Sequence, residues 1–167
     1  MVGVHILDAV AQEGKCTMLA VTTTVLEVVQ ESSQAISPAT TCLQHVLLIE
    51  DSEDAMWLVL RALEKYAYGR YKLEWASCLN EGLNRLLDGG VDVIVLDLGL
   101  PDCSNLFSYA WVREAAPSIP VVVLTGDSSD ETEFSVIASG ASHYLVKERT
   151  SAAKIVDTIN QVLGNER

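Results

Sequence analysis

The stretch Val91-Asp92-Val93-Ile94-Val95-Leu96-Asp97-Leu98-Gly99-Leu100-Pro101-Asp102 decides how this chain folds. The run from Val91 to Leu96 is short, rich in β-branched residues and apolar on both alternating faces. That pattern predicts a strand of a parallel sheet covered by helices on each side. The run stops at Asp97, and Gly99 and Pro101 then impose a turn. A strand that hands an acidic residue directly to a loop makes its own end the place to look for chemistry.

Working outward, four further runs have the same character: Val46 to Ile49, Leu73 to Trp75, Val121 to Leu124 and Tyr144 to Val146. Helical stretches lie between them, each with its own signals. Ser77 precedes Leu79, Leu83, Leu86 and Leu87, and Gly89-Gly90 ends that helix. Ser128-Ser129-Asp130-Glu131 offers a capping box for a helix through Phe134, Ile137 and Ala138. Thr150 or Ser151 caps a last helix whose apolar face is Ala152, Ile155, Val156, Ile159, Val162 and Leu163. Five strand–helix units predict an open, doubly wound α/β sheet of parallel strands.

The 167 residues suffice for one domain, predicted over residues 45–167, and an appendage over residues 1–44. In the appendage Met18-Leu19, Val21, Val25-Leu26 and Val28-Val29 fall near helical spacing, while the β-branched run Val21 to Val25 leaves a strand open. Ser37 to Thr41 reads as a linker, and the appendage as loosely ordered or as one helix, with no legible function. Its acids and lack of a basic start argue against a secretory signal. No run approaches the ~20 apolar residues of a membrane span, so no membrane insertion is expected. A formal charge of −12, from 23 acids against 11 bases, disfavours direct nucleic-acid binding. Cys16, Cys42, Cys78 and Cys103 show no C-x-x-C or metal-ligand spacing and read as reduced thiols of a cytoplasmic protein.

In open α/β sheets ligands bind beyond the carboxyl ends of the strands, where the winding direction reverses. The residues there are Glu50 and Asp51 after the first strand, Asp97 after the third, Thr125 after the fourth and Lys147 after the fifth. Two carboxylates ~4 Å apart repel by about 4 kcal/mol at an effective dielectric near 20, so three ionised together call for a cation. An all-oxygen set suits Mg²⁺, or Mn²⁺. A bound divalent ion can hold an anionic phosphodonor against one carboxylate acting as nucleophile, with Lys147 and Thr125 contacting the phosphoryl oxygens.

Taken in order, Glu50-Asp51, the motif around Asp97 with Pro101 four residues on, Thr125-Gly126, and Gly140-Ala141…Tyr144…Lys147 resemble the receiver domain of two-component response regulators. The resemblance covers roughly Val46 to Leu163. It implies a flavodoxin-like five-stranded sheet of order 2-1-3-4-5. It implies that Asp97 forms the acyl phosphate, and that Asp51, Asp97 and the Gly99 backbone carbonyl ligate Mg²⁺ directly while Glu50 acts largely through water. Thr125 and Lys147 would contact the phosphoryl group, and Tyr144 would occupy the aromatic switch position. Gly99 and Asp127 stand where the family varies, at positions that tune reactivity.

The implied function is that of a signalling switch rather than an enzyme. It takes its phosphoryl group from a histidine kinase or a phosphotransfer protein and changes its affinity for a downstream target protein. The expectation includes a single-domain regulator without an output domain, of unread oligomeric state. The alternative within the family is an intermediate carrier in a phosphorelay. A Mg²⁺-dependent aspartyl-phosphate phosphohydrolase fits less well, because it wants a second Asp two residues after the first, where Gly99 stands. A flavodoxin-type FMN carrier is disfavoured by the phosphate-repelling run Glu50-Asp51-Ser52-Glu53-Asp54.

Overall fold

The computed structural model describes residues 18–20, 43–103 and 106–164. Among these the chain runs β1 (Met18–Ala20), β2 (Gln44–Ile49), α1 (Glu53–Tyr66), β3 (Tyr71–Ala76), α2 (Leu79–Leu87), β4 (Val93–Leu96), α3 (Leu106–Ala115), β5 (Val121–Thr125), α4 (Asp130–Ala138), β6 (His143–Val146) and α5 (Ala152–Val162), with a short 3₁₀ turn at Lys147–Arg149 before α5. The sheet order is β1-β3-β2-β4-β5-β6. The five strands β2 to β6 are parallel, and counted among themselves they stand in the order 2-1-3-4-5, as the resemblance implied.

The sheet is buried on both faces at its centre, where Val46–Ile49 of β2, Val93–Leu96 of β4 and Val121–Leu124 of β5 are apolar at every position. Val46 and Leu48 of β2 face a core shared with Met56, Val59 and Leu63 of α1 and Ile155, Val156 and Ile159 of α5. Leu47 and Ile49 face the opposite core, with Leu79 and Leu86 of α2, Tyr109 and Val112 of α3 and Val136 of α4. Gly82 lets α2 approach β2 closely, since a Cβ there would overlap the Ile49 side chain. The winding direction reverses between β2 and β4, which pair directly, so a crevice opens where both strands end.

Several local expectations shift in detail. The N-cap of α2 is Cys78 rather than Ser77. Ser77 lies one residue outside the helix, where its backbone N–H donates to Glu81 Oε2 at 3.0 Å. Ser129 and Ser151 cap α4 and α5, their hydroxyls accepting from the Thr132 and Lys154 backbone N–H groups. The strands extend one or two residues beyond the Leu73–Trp75 and Val46–Ile49 runs because half-buried polar residues such as Lys72 and Gln44 continue the ladder.

Two findings go beyond those expectations. Within the appendage, Met18–Ala20 forms a strand that pairs antiparallel with β3, Met18 opposite Ala76 and Ala20 opposite Glu74. An edge strand such as β3 presents unpaired backbone groups, and a short antiparallel strand satisfies them. The helix expected further along the appendage and the linker at Ser37 to Thr41 lie outside the described residues. The reading of four reduced thiols is corrected at Cys78, which is disulfide-bonded. Cys103 is free. Pairing depends on the approach of two Cα atoms in space, which distant sequence positions do not reveal, and the bond removes the reduced-thiol argument for a cytoplasmic location.

Candidate functional site

The crevice between β2 and β4 is built from polar groups that the sheet buries. Glu50, Asp97 and Thr125 are 1%, 5% and 2% exposed, while Asp51 is exposed. Glu50 continues β2: its backbone N–H donates to the Ala76 carbonyl at 3.0 Å. Its own carbonyl accepts a 2.6 Å hydrogen bond from the indole Nε1 of Trp75. Ser52 follows as N-cap of α1 and donates its backbone N–H to Glu50 Oε1 at 3.2 Å, so the helix start also fixes the acidic pair.

Asp97 is held by its backbone N–H, which donates to the Ile49 carbonyl at 2.9 Å. Its Oδ1 accepts from the Gly99 backbone N–H at 3.1 Å, and its Oδ2 accepts from Lys147 Nζ at 2.8 Å. The same Nζ lies 2.6 Å from Glu50 Oε2. Thr125 pairs with Val146 across β5 and β6, which puts Lys147, one residue further on, at the same end of the sheet. Ligand atoms of Glu50, Asp51 and Asp97 all lie within 4.8 Å of one another. The five residues expected at the strand ends therefore share one edge of the sheet. Tyr144 lies behind them, its hydroxyl donating to the Asp127 carbonyl at 2.9 Å.

Burial and proximity shape the charges. Burial pushes the Glu50 carboxyl above the usual range; the Lys147 ammonium opposes that, and the negative charge of Asp97 reinforces it. Burial disfavours a charged Lys147, yet hydrogen bonds to Asp97 and Glu50 outweigh it and raise its pKa. The Tyr144 phenol is pushed up to about 12 by burial, then by Asp127, Glu133 and Asp97. Three carboxylates with one ammonium leave a surplus of negative charge, and all the donors are oxygens. That set fits a hard divalent cation such as Mg²⁺.

Two participants escaped the sequence reading. Trp75 ends the apolar run Leu73 to Trp75, and nothing in that run signals its contact with the Glu50 carbonyl at the end of the neighbouring strand. Asp102 was quoted within the acceptor motif, but its partners are far off: its carboxylate accepts from the backbone N–H groups of Leu79 and Asn80 at 3.0 and 2.9 Å.

A family model described as the response regulator receiver domain matches residues 46–160. The chain belongs to the response regulator receiver family. Its receiver is 33% identical over 103 residues to the swarming motility regulation protein RssB of Serratia marcescens, a match covering 62% of this chain and 46% of that protein. It is 32% identical over 105 residues to the cell cycle transcriptional regulator CtrA of Caulobacter vibrioides, covering 62% and 43%. The chain thus spans less than half the length of these relatives. Among solved structures, a CheY-like receiver domain protein of Methanospirillum hungatei superposes with a TM-score of 0.63 at 22% identity, covering 73% of this chain and 94% of the other. The chemotaxis response regulator CheY4 of Vibrio cholerae does so at 0.60 and 25%, covering 72% and 99%. Receiver domains are signalling switches that work with histidine kinases or phosphotransfer proteins and use Mg²⁺ at their acidic pocket. No helix among the described residues is long and apolar enough to cross a membrane.

Proposed function

We propose that this receiver accepts a phosphoryl group on Asp97, from a histidine kinase or a phosphotransfer protein, and thereby changes its affinity for a downstream protein. The observation that carries the proposal is Lys147 Nζ, 2.8 Å from Asp97 Oδ2 and 2.6 Å from Glu50 Oε2. A single ammonium lies between the nucleophile and an acid of the metal pocket, where an incoming phosphoryl oxygen needs a cation.

In the reaction one carboxylate oxygen of Asp97 attacks phosphorus, and the bond from phosphorus to the donor nitrogen or oxygen breaks. The electron pair of that bond leaves with the donor, an imidazole or a small carboxylate. Lys147 and the Thr125 hydroxyl then donate to the phosphoryl oxygens. Asp51, Asp97 and the Gly99 carbonyl would hold Mg²⁺, with Glu50 contributing through water; when bound, the ion offsets the negative charge gathered in the pocket. Residues 45–167 are the functional domain in this reading. Because the acyl phosphate adds about −1.5 to −2 charges, its contacts with Lys147 and Thr125 supply the bias between two packings of the neighbouring elements. A full reversal of a 1:99 population needs about 5.5 kcal/mol.

The test is labelling with acetyl phosphate, with and without Mg²⁺, read on phosphate-affinity gels and by intact mass. One acid-stable, base-labile adduct is expected, dependent on the metal and absent in Asp97→Asn. Labelling that persists in Asp97→Asn removes Asp97 from this role.

A further inference from the structure

The loop that carries the acceptor has a second anchor. From Leu98 to Pro101 the chain alternates inward and outward: Leu98 and Leu100 are buried at 1% and 5% exposure in the core beneath α2 and α3, while Gly99 and Pro101 are exposed. Two buried leucines fix how deep the loop sits. They do not fix its slide along the sheet edge. That is constrained at the far end by Asp102, whose two carboxylate oxygens accept from the backbone N–H groups of Leu79 at 3.0 Å and Asn80 at 2.9 Å, the first two residues of α2.

Those N–H groups have no partner within the helix, and the Cys78 side chain at the N-cap makes no capping bond. A carboxylate against two N-terminal amides also meets the positive end of the helix dipole. The helix has another acidic contact at the same end: Glu81 accepts from the Ser77 backbone N–H and hydroxyl at 3.0 and 3.3 Å, a tie local to the start of α2 itself. The helix start is thus secured twice, and only one of the two ties leads to the site.

We infer that Asp102 is a positioning residue for metal binding: by tying the acceptor loop to the first amides of α2, it holds the Gly99 carbonyl beside Asp97. The inference rests on the function proposed above. Gly99 has no side chain with which to secure itself, and its N–H already donates to Asp97 Oδ1. The direction of its carbonyl therefore follows from the path of the loop, and that path is set by Leu98, Leu100 and Asp102.

The test compares Asp102→Ala, Asp102→Asn and Glu81→Ala in the full chain. Mg²⁺ alone is titrated by tryptophan fluorescence, and acetyl phosphate labelling is measured across Mg²⁺ concentrations. Asp102→Ala is expected to raise the half-saturating Mg²⁺ concentration about 10-fold, the scale for groups that orient metal ligands, and to leave the labelling rate at saturating Mg²⁺ unchanged. Asp102→Asn, which keeps one acceptor oxygen, should fall between the two and carries the comparison if the alanine variant does not fold. Glu81→Ala should lower the melting temperature while leaving half-saturation in place. An unchanged half-saturation in both Asp102 variants overturns the inference, as does an equal rise in Glu81→Ala, which would make it a matter of helix stability. If the unaltered protein neither binds Mg²⁺ nor labels, the proposed function itself fails.

Discussion

The indole Nε1 of Trp75 donates a 2.6 Å hydrogen bond to the backbone carbonyl of Glu50, joining a fluorophore in β3 to the first residue of the acidic pocket. Trp75 is buried at 8% exposure, whereas Trp111 is 53% exposed. A divalent ion entering beside Glu50 would change the field around the Trp75 indole through this bond.

Mg²⁺ titration should therefore change tryptophan emission, and Trp75→Phe should remove most of that change while labelling of Asp97 continues. Within the same titration, Asp51→Ala should weaken Mg²⁺ far more than Glu50→Ala, for which about 10-fold is expected of a group acting through water. Equal losses in the two variants would contradict the assignment of Asp51 as the direct ligand.

The loop after β5 is tied at both ends of Asp127. Its N–H donates to Thr125 Oγ1 at 3.3 Å, and its carbonyl accepts from the Tyr144 hydroxyl. In the proposed reaction the Thr125 hydroxyl would move toward a phosphoryl oxygen, which would loosen the first tie and change packing between α4 and β6. Tyr144→Ala should leave Asp97 labelling nearly intact and disturb partner binding. Thr125→Ala should still label but blunt the conformational response. Amide exchange with and without beryllofluoride, a phosphoryl mimic, should show differences in α4, β6 and α5. Differences confined to α1 would relocate the output surface there.

Every residue of the proposed site lies at or after Glu50, so a chain beginning at Leu43 should label at the unaltered rate. It loses β1, which pairs with the outer edge of β3, and should therefore associate more readily at that bared edge. Loss of labelling in a folded truncated chain would show that the appendage supports the site.

Acid stability should depend on Glu74. Burial at 5% exposure favours its neutral form, but hydrogen bonds from Arg85 and Lys72, with their charges, win and hold its pKa below the ordinary 4.5. A carboxyl whose folded pKa is depressed contributes stability that is present above its unfolded pKa and is lost as pH falls through the folded value. Denaturant unfolding should show stability falling as pH drops below about 4.5, and Glu74→Gln should flatten that slope. At pH 7 the variant should lose about 1.5–3 kcal/mol, the scale for hydrogen bonds to charged groups. An identical acid limb in the variant would assign the loss to other carboxyls.

Local pattern predicted the five parallel strands and placed the candidate site residues at one end of them. Runs such as Val93 to Leu96 and Val121 to Leu124 are apolar at every position because a doubly covered parallel strand has no wet face. In such a fold the residue after each run is placed at the functional edge by backbone connectivity alone. That is why Glu50, Asp51, Asp97, Thr125 and Lys147 could be picked out in order. What needed the tertiary structure were contacts between distant positions. Trp75 reaches Glu50 across 25 residues, Asp102 reaches Leu79 across 23, and Lys147 reaches Asp97 across 50. The pairing of Met18–Ala20 with β3 and the disulfide at Cys78 are of the same kind. Periodicity encodes which face of an element is apolar. The partner that a polar side chain meets depends on how whole elements pack, and no local window of sequence carries that.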